Sequence, residues 1–99
     1  MPVSNNLQLD AMLKVIDKGI ELMPRINQYP LPQAKDLLNS WQEYAKSVVK
    51  FVSDAYGKNI YLDYLDLMIK LTPYPPYEQI KQSISWLMEL SKFLANNRR

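Results

Sequence analysis

Asp63 and Asp66 are the residues whose types and spacing come nearest to a chemical site in this sequence. They stand three apart within IYLDYLDLMIKL, so on a helix their carboxylates share one side. Two such carboxylates can hold a divalent cation such as Mg2+ that keeps its waters, which makes a metal-dependent enzyme one alternative. A diiron bundle would add Glu-x-x-His pairs to these ligands, and the chain has no histidine. Carboxylates at this spacing also line ordinary solvated helix faces. That simpler role is expected for Asp63 and Asp66, and equally for Asp10, Asp17 and Glu21. No metal and no cofactor is assigned.

Cysteine is absent as well. Without Cys or His there is no disulfide, no zinc site built from those ligands, no Cys nucleophile and no His-based triad. Serines 4, 40, 47, 53, 83, 85 and 91 belong to no G-x-S-x-G elbow, and Gly19 and Gly57 are too few to form a phosphate-cradling loop. The expectation is a protein that is not an enzyme and has no small-molecule substrate.

Binding residues are better represented. Tyrosine and tryptophan are common interface anchors. The connectors PRINQYPLP (24–32) and TPYPPY (72–77) carry Tyr29, Tyr74 and Tyr77 on proline-stiffened backbone that loses little entropy when bound. Tyr61, Tyr64 and Trp86 are the candidates on a side of the fold. A small accessory subunit or adaptor, binding another protein or a second copy of itself, is the first functional expectation.

Binding to DNA or RNA is the alternative. Lys14 and Lys18 lie four apart, as do Lys46 and Lys50, and Lys58, Arg98 and Arg99 extend the candidate set. Tyrosines among lysines can stack on bases. Against this, the formal net charge is only +2, and Asp17, Glu21, Glu43 and Asp54 interleave with the lysines. No arginine-bearing recognition helix is present.

The elements that must position these residues read as helices. From Pro32 to Gly57, Ala34, Leu38, Trp41, Ala45, Val48, Val52 and Ala55 recur at steps of four and three, the spacing of one continuous packing face. Leu37, Tyr44, Val49, Phe51 and Tyr56 widen that face beyond what one partner helix covers. The three alanines imply close helix approach at three levels.

The first helix, 7–23, follows a loose lead-in and is capped by Asn5 or Asn6; its stripe is Leu9, Met12, Leu13, Ile16, Ile20 and Met23. Gly19 inside it points to close helix contact rather than a bend, and Pro24 ends the helix or kinks its last turn. Ile26, Tyr29 and Leu31 are expected to fold back over the core. Asn59 caps a third helix, 60–71, whose polar line of Asn59, Asp63, Asp66 and Lys70 is narrow, so burial around most of its girth is expected. Pro76 opens the last helix, 77–95, with Ile80, Ile84, Leu87, Ser91 and Leu94 as its seam.

Four helices on short links give an all-α, compact antiparallel four-helix bundle with proline-rich connecting loops. In up-down-up-down order both proline loops share one end, which would bring Tyr29, Tyr74 and Tyr77 near one another. Ninety-nine residues fit one domain, 1–99. With 47% hydrophobic and 22% charged residues, the chain has too much to bury to be disordered, and its surface is a little poor in charge. No segment reads as a signal peptide or a membrane span, so an intracellular, cytoplasmic protein is expected. The lean toward Tyr, Lys, Ile and Asn suggests an AT-rich microbial or viral genome.

Overall fold

The computed structural model describes residues 4–56 and 59–96, with the backbone alone at 4–6. Four helices account for most of them: α1 (Ser4–Ile26), α2 (Leu31–Tyr56), α3 (Ile60–Leu71) and α4 (Pro76–Asn96). There is no β-structure among the described residues. The helices follow one another round an antiparallel four-helix bundle. α1 packs on α2 and α4, α3 packs on α2 with a thinner contact to α4, and α2 meets α4 across the short diagonal. Among the described residues α1 and α3 do not touch.

α1 differs from its expected bounds at both ends. It starts at Ser4, so Asn5 and Asn6 lie inside the helix and neither precedes it as a cap. It also runs through Pro24 to Ile26. A proline in the last turn forfeits one ladder bond, and the full burial of Ile26 holds that turn in place. The chain leaves through a turn in which Gln28 donates from its backbone to the Arg25 carbonyl at 2.9 Å. Leu31 does not fold back over the core; it is exposed at the start of α2. Pro32 therefore falls at the second position of α2, still among N–H groups that a helix leaves orphaned.

The α2 face forms as its spacing implies. Ala34, Leu38, Trp41, Ala45, Val48 and Val52 are buried, joined by Val49. Ala55 is the exception and is exposed. Pairing of Trp41 with the Val15 turn of α1 carries the last turn of α2 past the first described turn of α1, so no described turn of α1 reaches Ala55. The close approach signalled by the alanines is therefore found at two levels, not three.

α1 presents a face rotated from its bulkiest line. Met12, Val15, Ile16 and Ile26 are buried, while Leu13 and Ile20 are exposed. Gly19 explains the rotation. It is buried, and a Cβ added there would stand 2.6 Å from Trp41 Cζ2 and 2.9 Å from Ile84 Cδ1. Three helices thus converge on one hydrogen atom, and the seam of α1 follows that point of closest approach. The Trp41 indole N–H donates to the Val15 carbonyl at 3.0 Å and fixes the ring against it.

α3 is not buried around its girth. Tyr64 and Leu71 are its buried residues, whereas Leu62 is 58% and Ile69 71% exposed. The molecule measures 47 × 23 × 17 Å, so it is too thin to wrap a peripheral helix on all sides. The cap of α3 is also not its own. The Asn59 side chain makes no capping bond; instead Ser53 Oγ on α2 accepts the Tyr61 N–H at 3.3 Å. The expected closure of α2 by Gly57 lies outside the described residues. α4 carries Ile80, Ile84, Leu87 and Leu94 in the core as expected, with Ser83 and Leu90 added and Ser91 half-buried.

Replacing Gly19 with alanine should lower stability by about 1–2 kcal/mol. Overpacking against a hydrogen-bonded indole outweighs a helix-propensity gain of about 1 kcal/mol. Urea unfolding of the two proteins checks this. An unchanged or higher midpoint would mean that the three helices do not close on Gly19 as described.

Candidate functional site

α3 is about half the length of its neighbours and contacts α4 less than α2. The groove between them has two hollows. The larger, about 500 Å³, is lined by Asn59, Ile60 and Asp63 from α3 and by Trp86, Glu89, Leu90 and Phe93 from α4. The smaller, about 290 Å³, continues past Asp63 and Trp86 to Asp66, Leu67 and Lys70. The floor is apolar and the rim is charged, an arrangement set by helical spacing. Ile60 and Leu67 fall on the inner side of α3, with Asp63, Asp66 and Lys70 one step outward.

Trp86 forms the sill shared by both hollows. Its ring packs on Tyr64 with centroids 5.2 Å apart, and Tyr64 is fully buried. A half-buried indole resting on an immobile phenol is a preorganised contact surface. Tyr64 itself belongs to the core and is not available to a partner, which corrects its place among the candidate contact residues. Phe93, at the far end of the groove, meets Tyr56 edge-on at 5.8 Å and remains partly exposed. Neither Phe93 nor Leu90 stood out as a contact residue in the sequence.

Burial pushes the Tyr64 hydroxyl well above its ordinary value of 10.0, with smaller effects from Ser83, which eases ionisation, and from the Glu43 charge, which opposes it. The Tyr64 and Ser83 hydroxyls do not meet as a hydrogen bond of good geometry. Both oxygens are buried without a partner among the described residues.

The other candidates do not line this groove. Tyr61 is half-buried on the opposite flank of α3, with the Lys50 ammonium 5.4 Å from its ring centroid. Tyr29 accepts a hydrogen bond from Arg25 at 3.0 Å and borders a hollow with Gln33, Asp36 and Leu37. Tyr74 is exposed, and Tyr77 is half-buried in the first turn of α4. The loop carrying Tyr74 is anchored by Gln79, whose Nε2 donates to the Tyr74 carbonyl at 2.8 Å and whose Oε1 accepts from Gln42 of α2 at 3.4 Å.

Lys46 is ion-paired with Glu43 at 3.0 Å, and Glu43 raises its pKa by hydrogen bond and by charge. Lys50 pairs with Asp54 at 3.5 Å. Lys18 faces a different hollow, over α1 and α2, beside Glu21, Arg25 and Tyr44. Lys14 is exposed on the same helix, while Lys58, Arg98 and Arg99 lie outside the described residues. The lysines are thus split between two flanks of α2. Among the described residues, no three acidic side chains come together to hold a metal ion. Among the described residues, no helix is long and apolar enough to cross a membrane. Compared with known proteins, the chain matches no family model, and no significant match appears among curated proteins or solved structures.

Because the folded state favours the neutral form of Tyr64, its stabilising effect is complete below pH 10, the ordinary value. Above that, the unfolded chain ionises first and stability falls, by at most about 1.4 kcal/mol per pH unit from this group. Tyr64→Phe should flatten the alkaline loss relative to the parent while changing stability at neutral pH by less than about 1 kcal/mol. Denaturant curves at stepped pH measure both. Parallel alkaline slopes in parent and variant would contradict the account.

Proposed function

We propose that this protein is a small non-catalytic accessory subunit or adaptor that binds another protein through the α3–α4 groove. The observation that carries the proposal is the setting of Trp86. It is held by a buried tyrosine, left half open to solvent, and flanked by Ile60, Leu90 and Phe93. Interface energy concentrates in such aromatic anchors, and an apolar floor with a charged rim is the ordinary anatomy of a recognition surface.

Nucleic acid finds less support. Lys46 and Lys50 each stand beside a carboxylate on their own helix, Glu43 and Asp54, whose charge opposes phosphate there. A phosphate backbone following Lys14 and Lys18 would then have to cross α2 to reach them.

A photo-crosslinking residue in place of Phe93, in the full chain and its native host, should capture a discrete protein adduct. The same residue in place of exposed Lys81, which lies on another side of α4, should not. Absence of an adduct at position 93, or the same adducts at both positions, would overturn the proposal.

A further inference from the structure

We infer that the occupant of the α3–α4 groove is an amphipathic helix of a partner protein carrying lysine or arginine along its flanks. This deepens, and rests on, the protein-binding reading above. Shape supplies the first part. No sheet edge is available among the described residues, so an extended peptide has no backbone ladder to join. A trough between two helices instead accepts the side-chain ridge of a third. α3 has 12 residues and so offers a trough about 18 Å long. The larger hollow, floored by Ile60, Trp86, Leu90 and Phe93, fits an apolar anchor, and the smaller, where Asp63 and Asp66 stand beside Leu67 and Trp86, fits a cationic residue one to two turns further along the same helix.

Charge supplies the second part. The two hollows together are lined by three carboxylates, Asp63, Asp66 and Glu89, and one ammonium, Lys70. That is a formal −2 on a chain whose total is +2. Asp63 and Asp66 form no ion pair among the described residues. Glu89 is engaged only by Lys92, at 3.3 Å with both side chains exposed, and such a pair is worth little and exchanges readily. The rim therefore attracts cationic flanks and repels phosphate.

A second copy of this chain fits less well. Its apolar line on α3, exposed Leu62 and Ile69 with half-buried Leu65 between them, is bordered by Asp63 and Asp66 themselves. The exposed Leu13 and Ile20 of α1 are bordered by Asp17. Either face would bring acid against acid.

The test uses two stapled amphipathic peptides of about four turns, identical except for lysine or glutamate on the flanks. Each is titrated into the isotope-labelled full chain. The lysine peptide should shift the Trp86 indole N–H and the amides of 59–70 and 86–93. It should bind about tenfold more tightly than the glutamate peptide at low salt, and Asp63→Asn with Asp66→Asn should erase most of that preference. Equal affinity, preference for the glutamate peptide, shifts centred outside the groove, or concentration-dependent dimerisation through it would each overturn the inference. A protein adduct at position 93 with no charge preference among the peptides would leave the protein-binding reading standing and remove only this one. Failure of both experiments would remove both.

Discussion

The fold depends on the contact at Gly19. A single missing Cβ lets the indole of Trp41 and the Cδ1 of Ile84 approach α1 to distances that no other residue would allow. The Trp41 N–H bond to the Val15 carbonyl then removes the remaining freedom of the ring, at a carbonyl that otherwise serves the α1 ladder. With α1 gripped between α2 and α4, the three long helices share one apolar interior from Met12 and Val15 to Ala45, Val49, Leu87 and Leu94. α3 joins this assembly by narrower means. Tyr64 reaches inward, Ser53 caps its first turn from α2, and Gln79 secures the loop that leaves it.

The division between a gripped core and an appended helix is what creates the groove. Had α3 been as long as α2, or as deeply set, Ile60 and Trp86 would have closed over Leu90 as core. Instead they floor an open trough. The buried hydroxyls of Tyr64 and Ser83 mark where α3 and α4 do meet. That contact is less favourable than an apolar one, since unpaired buried polar groups cost stability. It holds Trp86 in place nonetheless.

Much of this was legible in the sequence, and the parts that were not share a cause. The 4-3-4-3 spacing of α2 gave six of its buried residues because a long helix touching three others needs one uninterrupted face. Proline positions marked the loops, and Trp86 was recognisable as a surface aromatic. The face of α1 was misplaced because the eye follows Leu13 and Ile20, whereas the packing follows Gly19, a residue with no side chain to count. The narrow polar line of α3 suggested burial, but hydrophobicity measures what a helix could bury, not what its neighbours are long enough to cover. Leu62 and Ile69 stayed in water for that reason. The groove joins residues 59–70 to 86–93, and no periodicity within either helix reveals the hollows between the two.

Native-state hydrogen exchange tests the central claim most directly. If the Gly19 junction unites α1, α2 and α4 while α3 is appended, amides around Met12–Gly19, Trp41–Val52 and Ile80–Leu90 should open only with global unfolding. Those of α3 should exchange through a separate opening of lower free energy. Equal protection of α3 and the other three helices would contradict the account.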